Sequence, residues 1–307
     1  MKLPILVILT VFLLQPAFTA LRKTAIHPQE QVHITEFGPN ILLLSTSKGN
    51  AIASVGPDGA LLVGELPANA TAAVNRLLAS RTQSPMRYVI IEPQDASHSE
   101  GDAGWVRLGA FVAMHENALR RIGGNKMEGM DSPSSAELPD QFVKLGVERP
   151  RVAFSEVLAF DLNQEAIHIV HQKPGYSDAD AIVHFHAANL VYLGEVFPGD
   201  GYPKIDFSQG GTLEGLLTTL GSWTGNTIRV VPARGQITDG STVEAFRDMI
   251  LAVRDRVQRL VDQGRTENQV VDAHPTTEFD KRWGNGRIGP DTFVREVYRS
   301  VKESRRK

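Results

Sequence analysis

Nine histidines stand beside 35 aspartates and glutamates as the side chains in this sequence that could ligate a metal or shuttle protons, and cysteine is absent. Without a thiol there is no disulfide, no zinc ribbon, no cysteine nucleophile and no lipid anchor on cysteine. His184 and His186 form a His-x-His pair, a spacing that directs both rings to one side of a strand and can bind a metal. His168 and His171 lie three apart on a predicted strand, so they face opposite ways and do not form a joint ligand set. The chain has no Gly-x-Ser-x-Gly elbow to expose a serine and no glycine-rich phosphate loop. Asn69-Ala70-Thr71 is a glycosylation sequon, of consequence only in a eukaryotic host.

Short apolar runs between turn residues must position these groups. Ile41 to Ser45, Ala51 to Val55 and Ala60 to Val63 read as strands, the first two joined by a turn at Lys48-Gly49-Asn50. Gly56-Pro57-Asp58-Gly59 is a stronger turn signal, since proline fixes one φ and glycine permits a positive one. Ala68 to Ser80 has helical spacing, Tyr88 to Ile91 returns to strand, and this alternation predicts a layered α/β protein. Asn125 to Pro150, rich in Gly, Ser, Pro and Met, reads as a long surface loop or lid. Strands follow at Ile167 to Val170, Ala181 to Phe185, Leu190 to Leu193 and Ile228 to Val231, with a helix over Leu213 to Leu220.

The clearest helix is Thr242 to Gln263, where Val243, Phe246, Ile250, Val253, Val257 and Leu260 fall on one face. Ser241 and Glu244 have capping-box spacing, and Gly264 suits the C-terminal cap. A last helix runs from Pro290 towards Glu303. There is no short repeat and no low-complexity segment.

The 307 residues include 42% hydrophobic and 22% charged side chains, enough to bury a sizeable core. A net charge of -3 argues against a surface for nucleic acid or anionic lipid. The terminal run Arg305-Arg306-Lys307 reads as a solvated helix end. Lys2 followed by the apolar run Leu3 to Leu14, broken by Gln15 and Pro16, is too short to span a bilayer and has the layout of a secretory signal. Cleavage near Ala20 leaves a single domain over residues 21–307, secreted or periplasmic, with no stable membrane span; an uncleaved anchor or buried helix is the alternative.

The order of the framework pieces resembles the metallo-β-lactamase superfamily from about Val32 to Tyr298. These pieces are Gly49 to Gly59, Ala113-Met114-His115-Glu116-Asn117, Ser177 to Phe185, Asn189 to Glu195, Tyr202 to Asp206 and Gly210-Gly211-Thr212. The resemblance implies an αββα four-layer sandwich, two mixed β-sheets flanked by helices, with metals at one edge. In that family a His-x-His-x-Asp-His loop follows the strand matching Tyr88 to Ile91, and its ligands hold two metal ions, usually zinc, that activate a water.

Here that loop reads Pro93-Gln94-Asp95-Ala96-Ser97-His98, and only His98 matches. The resemblance places the next family histidine on Tyr176, the bridging aspartate on Glu195, the last histidine on Arg234 and an early aspartate on Gly64. Asp95, Ser97, His98, Tyr176, Glu195 and Arg234 therefore form the expected pocket. Asp95, His98 and Glu195 could still donate to one zinc or other divalent ion. Arg234 opposes this, because a guanidinium stays charged and has no lone pair to give. Two positive charges about 4 Å apart repel by roughly 4 kcal/mol at an effective dielectric near 20. The expectation is a metal-free site without cofactor, in which Arg234 replaces the metal charge and pairs with Asp95 or Glu195.

The resemblance also places His184 and His186 away from that site as surface or packing residues, and makes His115 structural. Asp178 and Asp180, beside Tyr176, read as loop-ordering carboxylates. Two functions follow. One is a pseudoenzyme, an exported binding or scaffold protein for an unidentified small molecule or protein. The other is a hydrolase, using one non-standard metal or a metal-free pair in which His98 is the base and Arg234 an anion clamp.

Overall fold

The computed structural model describes residues 31–64, 66–90, 104–105, 108–123, 152–225 and 227–305. The leading segment, the Asp95-Ala96-Ser97-His98 stretch and the 125–150 loop lie outside the described residues.

The first sheet runs β1 (His33–Glu36), β2 (Ile41–Ser45), β3 (Asn50–Gly56), β4 (Gly59–Val63), β5 (Met86–Ile90), β6 (Phe111–His115) and β7 (Val152–Phe154), in that spatial order. It is antiparallel from β1 to β4 and parallel from β4 to β7. The second sheet contains β8 (Val157–Leu162), β9 (Glu165–His171), β10 (Ala181–Phe185), β11 (Leu190–Gly194), β12 (Arg229–Pro232) and β13 (Thr238–Asp239), in reverse spatial order. Only its β11–β12 pair is parallel.

Among the described residues the helices are α1 (Ala68–Arg81), α2 (Glu116–Gly123), α3 (Leu213–Gly221), α4 (Gly240–Asp262), α5 (Glu267–Asp272), α6 (Thr277–Trp283) and α7 (Pro290–Ser304). None is long and apolar enough to cross a membrane.

Strand periodicity explains the layering. Ile41 and Leu43 face the core between the sheets, where they meet Val183, Phe185 and Val231. Leu42 and Leu44, on the other side of β2, pack with Val74 and Leu78 of α1. Alternate residues of β10 and β11 do the same: Ile182, Val191 and Leu193 turn outward beneath Leu216 of α3, Phe246 and Ile250 of α4, and Phe293 of α7. Strands buried on both faces read as continuous apolar runs, which is the pattern of these segments. The four layers are helix, sheet, sheet and helix, as expected.

Boundaries moved at the ends. The turn at Gly56-Pro57-Asp58-Gly59 closes the β3–β4 hairpin, with Gly59 at φ +110°. The expected capping box is not what starts α4. The helix begins at Gly240, and the Asp239 carboxylate accepts from the Thr242 amide at 3.0 Å. Ser241 donates its hydroxyl to Asp239 instead. An aspartate two residues earlier outcompetes serine because its charge also complements the helix N-terminus. Gly264 sits at φ +75° and donates to the Val261 carbonyl, as its position suggested.

Candidate functional site

The carboxyl ends of β4, β5, β11 and β12 meet at one edge of the sandwich. Gly64 and Glu195 directly follow two of those ends, and Arg234 lies two residues beyond a third. Sheets of this kind place ligand sites beyond the carboxyl ends of their strands.

Asn50, at the start of β3, stitches the two sheets there. Its Nδ2 donates to the Pro232 and Gly235 carbonyls at 3.0 and 2.9 Å, and its amide donates to the Ala233 carbonyl at 2.8 Å. The Arg234 amide donates to Pro198 O at 3.0 Å. The backbone beneath the Arg234 side chain is thus held from both sheets. Gly64 has φ +90°, and a Cβ there would lie 3.0 Å from the Tyr192 hydroxyl oxygen and 2.8 Å from Asn50 O. The position that carries an early aspartate in the resembled family is filled here by a tyrosine from the opposite sheet.

Arg234 and Glu195 form a two-pronged ion pair. Nη2 donates to Oε2 at 2.8 Å, Nη1 donates to Oε1, and Nε turns to Asp200 Oδ2 at 2.9 Å. Arg287 approaches the same Glu195 carboxylate at 3.5 Å. The Arg234 side chain is 15% exposed and that of Glu195 7%, so water screens the pair little. Burial by itself would lower the guanidinium pKa, but Glu195 and Asp200 raise it above its ordinary value. A planar fork on a carboxylate is the strongest geometry such a pair can adopt.

Tyr176 is buried on the other flank. Asp180 fixes its backbone by accepting from the amides of Gly175, Tyr176 and Ser177 at 3.0, 2.7 and 2.8 Å. Burial raises the Tyr176 hydroxyl pKa, with Glu195 and Asp206 adding to it against the lowering effect of Lys204. The phenol is therefore protonated at neutral pH. Lys204 bridges from Tyr176 to Asp206 Oδ2 at 2.8 Å. Asp178 pairs with Arg121, so both aspartates order structure.

Glu296 of α7 accepts the Ile205 amide at 2.8 Å beside this cluster, and burial pushes its carboxyl up to about 7. A carboxyl raised on folding binds protons more tightly in the native state, so it favours folding at low pH. That contribution fades as pH rises from the ordinary glutamate range through about 7. The Glu296→Gln variant should keep its acceptor and flatten the urea-midpoint profile between pH 5 and 8, a change worth about 2 kcal/mol at the alkaline end. An unchanged slope would place the titration elsewhere.

Of the expected pocket, the structure brings together Tyr176, Glu195 and Arg234, while Asp95, Ser97 and His98 lie outside the described residues. Arg234 pairs with Glu195, one of its two expected partners. Asp200, Arg287, Lys204 and Glu296 were not anticipated. Asp200 sits in a Gly-Asp-Gly turn with no charge pattern around it, and Arg287 arrives from a distant loop. Gly201 and Gly286 let that loop approach, since a Cβ on Gly201 would lie 2.5 Å from Gly286 Cα. A cavity of about 530 Å³ lined by Asn40, Pro57, Arg81 and Gln83 lies at the other end of β4 and takes in none of these groups.

Comparison of solved structures gives this fold its name. A metallo-β-lactamase from Pontibacter korlensis superposes with a TM-score of 0.53 at 13% identity, covering 72% of this chain and 99% of that one. A stereoselective inverting sec-alkylsulfatase from Pseudomonas sp. gives 0.59 at 14% identity, over 87% of this chain and 50% of its own. A double mutant of that sulfatase gives 0.62 with the same identity and coverage. The chain thus has the metallo-β-lactamase fold, and it spans half the length of the sulfatase. No family model and no curated protein sequence matches it.

The fold implies a metal at this edge, and the described residues there do not fit one. Both Glu195 oxygens are engaged by a guanidinium, Arg234 offers no lone pair, and Tyr176 keeps its proton. Among the described residues no three His, Asp or Glu side chains are placed to hold an ion.

Proposed function

We propose that this chain is an exported, non-catalytic protein of metallo-β-lactamase fold, whose altered, metal-free edge serves binding or scaffolding. The observation that carries this reading is the Arg234 fork on Glu195, which occupies both oxygens of the carboxylate at the expected bridging position. Fold membership alone would not decide it. The guanidinium is also spent: all three of its nitrogens face carboxylates, so little of it is left to clamp an anionic substrate. Export rests on the basic-then-apolar opening, Lys2 and Leu3 to Leu14. The partner is a small molecule or another protein rather than nucleic acid, consistent with a net charge of -3.

Elemental analysis of the purified, tag-free protein tests this. The expected result is a metal content that does not change in the Glu195→Gln and His98→Ala variants. Stoichiometric zinc, manganese or iron retained through dialysis and lost in either variant would overturn the reading. Turnover of generic ester, lactam or thioester substrates that vanishes in His98→Ala would overturn it equally.

A further inference from the structure

Three imidazoles gather on the helix-covered face of the second sheet, towards the end of β10 and β11 away from Glu195. His168 of β9 and His184 of β10 are direct cross-strand neighbours. His186, one residue beyond β10, turns back over them, placing its Nε2 3.0 Å from His168 Nδ1. The His184 and His186 ring centroids are 4.0 Å apart, and His184 meets Trp223 edge-on at 5.5 Å. The His-x-His spacing read from the sequence was assigned to surface or packing. The third ring comes from a neighbouring strand, which no linear spacing displays.

We propose that His168, His184 and His186 form a binding site for a borderline divalent transition metal such as nickel, copper or zinc, separate from the Arg234 edge. Imidazole nitrogen suits these ions. Two such nitrogens, each about 2.1 Å from one ion, lie about 3.0 Å apart at a right angle and about 3.4 Å apart at the tetrahedral angle. The His168–His186 separation already matches the first of these. The contact between those two nitrogens uses a lone pair on one ring and a proton on the other; with that ring's proton carried on its other nitrogen, both lone pairs are free to face one ion.

As the rings stand, three donors do not yet converge on a point. His186 is exposed on a turn and His184 half-buried, and rotation about a histidine χ2 is soft, so the third nitrogen can swing in at small cost. His184 makes no hydrogen bond to protein among the described residues, leaving both its nitrogens available. Water would complete the coordination shell.

The test is calorimetric titration of the tag-free, chelator-dialysed protein with nickel chloride at neutral pH, repeated with copper chloride while the electron paramagnetic resonance spectrum is followed. The expected result is one equivalent bound, imidazole nitrogen hyperfine structure on copper, and affinity at least about tenfold weaker in His168→Gln and in His186→Asn. His186→Asn changes an exposed turn residue, so it reads the same donor set without disturbing a strand. Glu195→Gln should bind as the parent does, which separates this site from the Arg234 edge. Absence of binding, or equal affinity in the parent and both histidine variants, would overturn the proposal.

Discussion

The Arg234→Ala variant should lose about 3–5 kcal/mol of folding stability, read as a lower urea midpoint at unchanged slope. The loss arises less from a missing attraction than from what stays behind. Glu195 is 7% exposed in its side chain, and without the guanidinium its charge is stranded where water reaches it poorly. Arg287, at 3.5 Å and 46% exposed, can recover only part of that. The pair need not be stabilising relative to an apolar filling, because two desolvated ions cost much of what their attraction returns. A second substitution distinguishes these effects. Glu195→Gln in the Arg234→Ala background removes the stranded charge, so the double variant should be more stable than Arg234→Ala alone. A loss below about 1 kcal/mol in the single variant would show that the pair behaves as an ordinary surface contact.

The Gly211→Ala variant should be destabilised by about 3 kcal/mol and should disturb Tyr176, visible as a changed near-ultraviolet dichroism. A Cβ at this position would sit 2.1 Å from Tyr176 O and 2.8 Å from Gly175 O, both backbone atoms that cannot swing aside. The two strands of loop are also bonded: the Gly211 amide donates to Asp206 O at 2.9 Å, and the Asp206 amide donates to Tyr176 O at 2.9 Å. Relieving the clash therefore breaks hydrogen bonds that position the phenol. Gly289 is the control, with nothing within 4 Å of an added Cβ and a φ of -80°; as it caps the last helix, its alanine variant should cost no more than about 1 kcal/mol. Equal behaviour of the two variants would refute the close-approach argument.

Local signals revealed much of the fold. The β2 and β10 bounds agree with the expected segments, because each is an apolar run closed by polar residues. The main helix α4 showed itself through its single apolar face. By contrast β1, with its four exposed residues, has no burial pattern to read. β8 alternates only weakly because its edge faces outward, and β13 is two residues long. The α4 cap was misplaced since both Asp239 and Ser241 are good capping residues and only tertiary position, at the end of β13, selects between them.

The site was less legible. The order of framework motifs pointed to Tyr176, Glu195 and Arg234, but spacing along the chain cannot report which charges meet. Asp200 and Arg287 join Glu195 and Arg234 only because glycines allow two loops to cross. The histidine trio was hidden for the same reason, since two of its members sit on adjacent strands joined by a register rather than by sequence. His115 fared better. It was expected to be structural, and its Nε2 donates to Ser155 O at 2.9 Å while its Nδ1 accepts the Asn117 amide at 3.2 Å.

The fork on Glu195 has a consequence for how this edge responds to its surroundings. Its positive charge is part of the polymer and is installed at synthesis in a fixed ratio of one per chain. Unlike a bound ion, that charge neither exchanges with solution nor depends on supply.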